Sequence, residues 1–275
     1  MLEDTSREVR IQYMRPKTLL EELRKLPLVY LPLAPLEWHG PHLVVGVDAI
    51  NAEQTALVLA RRIGGVVLPT LYMGTERERS VDVLKSLGLD QDSYVVGMDH
   101  PTIKDLYRSF YFPEEVFAIV LRSYIEQCIE HGYRHIFVVN GHGAVNHNEV
   151  IKRLCVEFSN RKEGVRVDYS ICFPKKLVDE GAIAHAAMEE TSLLMHFNRE
   201  WVDLDQLPPK GAKLGYADYG IVDSGGFDGH PGAGHAVPDA DDPRLASSAD
   251  IGRRIFDQSI ADLEQHVRMT FGIRG

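Results

Sequence analysis

Short apolar runs alternate with longer amphipathic stretches along this chain, and that alternation leaves few folds open. Leu28–Leu33 reads as a strand and Ala49–Ile63 as the helix that follows it. Gly64-Gly65 introduces a second strand, Val66–Tyr72, and a long helix is expected from Pro113, a residue suited to a helix start, to His131. The compact run Ile136–Val139 stops at Asn140-Gly141 and leads into a helix over Asn146–Asn160. A strand over Val165–Phe173 and helices over Ala184–Phe197 and Ser247–Phe271 complete the pattern. Strands alternating with helices predict an α/β fold: a mainly parallel sheet with helices on both faces. The 275 residues are read as a single domain. Residues 74–112, rich in charges and aromatics, are read as an insertion forming a lid or a subunit contact.

Composition removes several function classes. The net charge of −10 argues against nucleic-acid binding, which relies on clustered Lys and Arg. No apolar run approaches the roughly 20 residues that span a bilayer, so no membrane partner is expected. The stretch MLEDTSREVRIQYMRPK lacks the apolar centre of a secretory signal, and a cytoplasmic location is expected. Cys128, Cys155 and Cys172 are far apart and form no C-x-x-C pair, so they read as small buried hydrophobes rather than a zinc ribbon or disulfide frame. The balance suits an enzyme acting on a small molecule.

Parallel sheets bind ligands beyond the carboxyl ends of their strands. Leu28–Leu33 ends just before Glu37 and His39, and Ile136–Val139 just before Asn140, Gly141 and His142, so two strand exits deliver polar groups to one edge. In extended backbone Glu37 and His39 point to the same side, and a carboxylate and imidazole so placed can share a divalent cation. Asp48 suits the same cation and equally an N-cap of the next helix. Gly40-Pro41 turns the chain between them, and His42 reads as a supporting group or a substrate contact. Glycines on both sides of His142 permit close backbone approach, which favours a ligand or catalyst there. The segment lacks both G-x-G-x-x-G and Gly-Lys-Ser/Thr, so a nucleotide loop ranks low. His147, in the first helical turn, reads as a surface or supporting group. On a helix, His185 and Glu189 share a face and Glu190 is rotated by about 100°; such a carboxylate pair also suits a helix's positive end. His230 and His235, in a glycine-rich stretch, read as rim groups touching substrate or metal, or as incidental to a surface loop.

With these segments in view, the chain resembles the creatininase family. The motifs E-x-H-G-P-H-L-P-x-G-x-D, N-G-H-G-G-N and H-A-G-E-x-E-T-S of that family appear in order as Glu37 to Asp48, Asn140 to Asn146 and His185 to Ser192. The resemblance implies a Rossmann-like fold, a one- or two-metal centre and homo-oligomers, often hexamers. It implies Glu37, His39, Asp48, His142 and Glu190 as metal ligands, with Asp48 bridging, Glu37 and His142 on one metal and His39 on the other. Matching the final E-T-S selects Glu190, with Glu189 as fallback. The donor set suits zinc, manganese or iron. His42, Asn146, Glu189, His230 and His235 are taken as substrate contacts. The chain departs from the family at Ala144, where creatininase has glutamate, at Val145 and at Met188. The stretch Gly74-Thr-Glu-Arg-Glu-Arg79 differs from creatininase and resembles a sugar- or cyclitol-linked branch.

The function expected is hydrolysis by metal-activated water at the carbonyl of a small cyclic polar substrate, a cyclic amide, with His185 as proton shuttle. The alternative within the same chemistry is C–C hydrolysis of an inositol-derived ring ketone. A metal-dependent sugar isomerase and a non-catalytic sugar- or metal-binding protein are the readings from other classes.

Overall fold

A computed structural model describes residues 7–86, 89–99, 106–161, 163–219 and 236–274. Its central strand, β1 (Leu28–Ala34), is buried along its whole length. On one side β1 pairs in parallel with β4 (His135–Asn140), which pairs in parallel with β5 (Arg166–Ile171). On the other side lie two short parallel strands, β2 (Val66–Val67) and β3 (Leu71–Tyr72).

The single strand expected over Val66–Tyr72 is therefore two, and prolines explain the break. Along a strand, backbone polar groups point alternately to either neighbour. Leu33 O accepts from Gly141 N, on the β4 side, whereas Tyr30 O accepts from Leu68 N, on the β2 side. Pro32 is in phase with Tyr30 and has no N–H to offer that side; Pro69 has none to return. The ladder stops after Leu68 and resumes at Leu71.

Alternate strand residues enter opposite cores, as the period of two requires. Leu28, Tyr30, Phe137 and Val139 pack with Ala52 and Ala56 of α2 (Val47–Ile63) and with Ile260 and Leu263 of α9 (Ala249–Phe271). Val29, Leu31, Ile136 and Val138 pack with Leu121 and Ile125 of α4 (Glu114–Glu130) and with Ile151 and Leu154 of α5 (Val145–Arg161). Both faces of the sheet are covered, the α/β arrangement expected. Each large aliphatic or aromatic side chain among them contributes about 1.5–3 kcal/mol on burial. Cys128, Cys155 and Cys172 are buried and unpaired.

The helices α2, α4, α5 and α9 begin and end within two residues of expectation. The helix expected over Ala184–Phe197 is shorter: α7 spans Met188–Phe197. Four helices were not anticipated: α1 (Pro16–Lys25), α3 (Val81–Ser86), α6 (Lys175–Asp179) and α8 (Pro243–Ala246). Among the described residues no helix is long and apolar enough to cross a membrane.

Two features position the site. The chain passes from β1 to β2 and β3 on one side and then to β4 on the other, so the strand order reverses between β1 and β4. A crevice opens at such a reversal, beyond the carboxyl ends of the two strands. Helix α7 is clamped from behind by α9, where a Cβ on Gly252 would lie 1.9 Å from Ser192 O.

Candidate metal centre

The loop that leaves β1 carries the first two candidate ligands. Glu37 N donates to Val45 O at 3.0 Å, closing the loop on itself, and Gly40 makes its turn at φ +74°. Trp38 Nε1 donates to Tyr219 O at 2.7 Å. His39 Nδ1 lies 3.1 Å from Glu37 O, an acceptor, so Nδ1 carries a proton and Nε2 is the nitrogen left to meet a cation or, without one, a second proton. That Nε2 faces Asp48 Oδ1 at 3.1 Å and Glu190 Oε2 at 3.6 Å.

Asp48 stands in the first turn of α2, but Gly46 is the N-cap and receives no side-chain cap. The N-cap alternative for Asp48 is thereby set aside. Its two oxygens divide between two imidazoles: Oδ1 faces His39, and Oδ2 lies 3.2 Å from His142 Nδ1. Glu37 Oε2 is also 3.2 Å from His142 Nδ1, while Tyr111 donates its hydroxyl to Glu37 Oε1.

His142 follows β4 and is held by its neighbours. Asn140 Oδ1 accepts from His142 N at 2.9 Å, and Asn140 Nδ2 donates to His142 O at 2.8 Å. His147 is fully buried, stacks on Phe117 and donates from Nε2 to Asn140 Oδ1 at 3.0 Å. It is a supporting group two hydrogen bonds behind His142. Gly141 passes so close to α2 that only a glycine fits.

Glu190 enters from α7. Ala186, with φ +54°, turns the chain sharply just before the helix, and its N–H donates to Glu190 Oε2 at 2.5 Å. Because α7 starts at Met188, His185 lies outside it, and the helix face expected to hold His185 and Glu189 does not exist. Freed from the helix, His185 sets its ring 4.0 Å from that of His39 and donates from Nε2 to Trp38 O at 2.7 Å. Its Nδ1 is then the basic nitrogen.

The cluster has the charge balance of a cation site. Glu37, Asp48 and Glu190 surround two buried imidazoles. Burial opposes charge on His39, but Asp48 and Glu190 outweigh it and raise its pKa well above the usual range. Burial is likewise outweighed at His142 by Glu37 and Asp48. Burial favours neutral Asp48, yet His39 and His142 hold its carboxyl far below the usual range. Protons on histidine thus take the place that a cation would fill. Two triads, Glu37–Asp48–His142 and His39–Asp48–Glu190, each bring ligand atoms within 4.8 Å of one another and share Asp48. Donors about 2.1 Å from one tetrahedral cation are about 3.4 Å apart, close to the separations found here. The buried Nε2 of His39 has no hydrogen-bond partner of its own. The residues present fit a divalent transition metal. A third grouping, Glu37–His39–His185, is also close enough.

A cavity of about 300 Å³ opens over this cluster. Glu37, Asp48, His142, His185 and Glu190 form its polar floor, and Ile171, Phe173, Val178 and Ile183 its apolar wall. His42, Asn146 and Glu189 are not among the lining side chains. His42 is buried against Thr191 Oγ1, at 3.2 Å, and burial pushes its pKa down to about 3. Asn146 Nδ2 donates to Thr75 Oγ1 at 3.4 Å. Glu189 is buried behind the floor, and burial pushes its pKa up to about 7. His230 and His235 lie outside the described residues. Two groups escaped sequence reasoning. Tyr111 carried no signal, being one aromatic among many. Glu76, a further lining carboxylate whose pKa burial raises, stood in the charged stretch after Gly74 without a pattern to distinguish it.

Comparison with known proteins bears on the family and the fold. The family model for creatinine amidohydrolase, creatininase, matches residues 12–267. A creatinine amidohydrolase of Pseudomonas putida is 24% identical over 196 residues, 66% of this chain and 68% of that protein. A solved creatininase described with Mn superposes with a TM-score of 0.66 at 20% identity, covering 96% of this chain and 99% of the other. A variant creatininase of Zn-Zn type gives 0.64 at 18% identity, with the same coverage. These structures share the fold. With the family model spanning almost the whole sequence, the chain belongs to the creatininase family of metal-dependent amidohydrolases.

Proposed function

We propose that this protein hydrolyses a small cyclic amide at a two-metal centre held by Glu37, Asp48 and His142 on one side and His39, Asp48 and Glu190 on the other. The observation that carries the reading is the sharing of Asp48 between two carboxylate–imidazole triads on the floor of an apolar-walled cavity. When bound, the divalent cations supply Lewis acidity towards a carbonyl and an acidified water. The rest falls to the chain. Asp48, with one oxygen directed to each triad, fixes their separation. Tyr111 occupies Glu37 Oε1 and so orients Oε2 towards His142. Trp38 O holds the His185 proton on Nε2, leaving Nδ1 to take a proton from water and return it to the leaving nitrogen. Water adds across the C–N bond, which yields a carboxylate and an amine. The wall formed by Ile171, Phe173, Val178 and Ile183 excludes water and suits the face of a ring better than a hydroxyl-rich polyol, which supports C–N over C–C hydrolysis.

Exposed Val116, Ile119 and Tyr124 on α4 support a homo-oligomer, and three unpaired buried cysteines support a cytoplasmic setting.

The test is a panel of lactams, cyclic ureides and inosose-type ketones incubated with zinc- or manganese-loaded protein, read by product mass. A cyclic amide that gains one water supports the reading. Turnover of the ketone alone moves it to C–C cleavage, a product of unchanged mass indicates an isomerase, and no product with any compound would sink it.

A further inference from the structure

The two triads use Glu37, Asp48 and Glu190, yet Glu76 also lines the cavity and belongs to neither. Its position is built. Gly74, two residues before it, lies so close to the start of the loop carrying Glu37 and His39 that a Cβ there would sit 2.5 Å from Pro35 Cδ. Thr75 N donates to His147 Nδ1 at 3.4 Å, which ties the same turn to the support behind His142. The Glu76 side chain is only 3% exposed. Oε1 accepts from Arg77 N at 2.7 Å, and Oε2 forms a buried ion pair with Arg79 Nη2 at 3.7 Å, a separation too long for a hydrogen bond. One carboxylate oxygen is thus committed to the backbone, and the other belongs to a group that faces the cavity. The neighbouring wall is small and apolar: Ala144 stands beside His142, with Ile171 and Phe173 beyond it. Glu76 shares this cavity with the two triads as a lining carboxylate that belongs to neither.

We propose that Glu76 is a specificity-determining residue that accepts a hydrogen bond from a ring N–H of the substrate, so that the site selects cyclic imides and ureides over their N-alkylated forms. The inference rests on the cyclic-amide reading above. The physical reason is asymmetric: a buried acceptor costs little when its donor arrives and much when a methyl group takes the donor's place. Because Glu76 contacts substrate and not metal, its removal changes selectivity and leaves metal content alone.

The experiment compares binding of hydantoin, which has two ring N–H groups, and 1,3-dimethylhydantoin, which has none. Titration calorimetry uses the zinc-loaded wild type and the variants Glu76→Leu and Glu76→Gln, with zinc content measured by mass spectrometry. Wild type is expected to bind hydantoin at least about tenfold more tightly than the dimethyl compound. Glu76→Leu loses that preference with zinc content unchanged. Glu76→Gln, which keeps a neutral acceptor, falls in between, and it also serves should the leucine variant not fold. A preference that persists in Glu76→Leu reports a steric clash elsewhere and overturns the proposal. So do a wild type that does not distinguish the probes, a Glu76→Gln equal to wild type, and zinc loss in either variant. Hydrolysis is scored separately by the mass of the product. Binding preference without turnover refutes the hydrolase reading alone, and turnover without preference refutes only the role of Glu76.

Discussion

Gly141 runs so close beneath Asp48 that a Cβ built on it would lie 2.1 Å from the Asp48 carbonyl oxygen, whereas Gly143 has nothing within 4 Å of the corresponding position. The two glycines that frame His142 therefore have different tasks. Gly141 lets β4 deliver His142 against the first turn of α2, and Gly143 borders open space.

Gly141→Ala is expected to push β4 and α2 apart, costing about 1–3 kcal/mol of stability. It also separates His142 from Asp48 and lowers metal content. Gly143→Ala stays within about 0.5 kcal/mol of wild type. Melting temperature and metal analysis of both variants check this; equal behaviour of the two would remove the packing argument.

Metal removal reverses a pH trend. Without metal, His39 and His142 have pKa values raised well above normal by the carboxylates that outweigh their burial. A raised pKa gives stability that is full below the unfolded value, about 6.5, and is lost as pH climbs through the folded one. Chelated protein is thus expected to weaken as pH rises above about 6.5. Metal affinity moves the other way, because binding must displace those protons. Calorimetry at pH 7 in buffers of different ionisation heat should show proton release on zinc binding. Absence of release would contradict the protonated cluster.

His185 separates two roles by one pair of measurements. As a proton carrier, its loss in His185→Asn lowers kcat by about 10²–10⁴-fold, with metal content and KM little changed. Loss of metal in the same variant would instead make His185 a ligand, as the third close grouping permits.

Stability away from the site concentrates on Arg244. Its guanidinium meets Asp242 Oδ2 at 2.7 Å and donates to Pro208 O at 2.6 Å and to Pro209 O and Ala212 O at 3.0 Å each. Both charged side chains are under 5% exposed. Arg244→Leu leaves Asp242 as a buried unpaired charge and is expected to cost about 3–5 kcal/mol. Arg244→Leu combined with Asp242→Asn should cost less than the sum of the two single changes, measured by urea unfolding.

The sheet and its main helices were legible because Leu28–Leu33 and Ile136–Val139 are buried on both faces and read as unbroken apolar runs. Glu37, His39 and His142 were legible because they follow those runs directly, whereas Asp48 read equally as an N-cap and Glu190 was selected only by the family resemblance. Helix α1 was not, because its interior side is shallow: Glu22 is its one buried residue, held by Arg7 and Lys25. The start of α7 was misread because nothing in His185-Ala-Ala-Met announces that Ala186 takes a left-handed conformation. That conformation is imposed by the Glu190 carboxylate on the Ala186 N–H, a contact formed only once the helix exists. Tyr111 and Glu76 reach the site from residues 74–112, where no periodicity links position in sequence to position in space.

The close seat of Gly252 on Ser192 bears on the order in which this protein can become active. Glu190 is fixed by α7, and α7 is braced by α9, whose residues come after every candidate ligand in the chain. During synthesis the loop after β1 and the turn after β4 emerge first, and Glu37, Asp48 and His142 can gather early. The set containing His39 and Glu190 must wait for residues 249–271. Assembly of the two triads is therefore expected to be ordered: Glu37, Asp48 and His142 can meet before residues 249–271 are made, and Glu190 joins His39 and Asp48 only after α9 has docked.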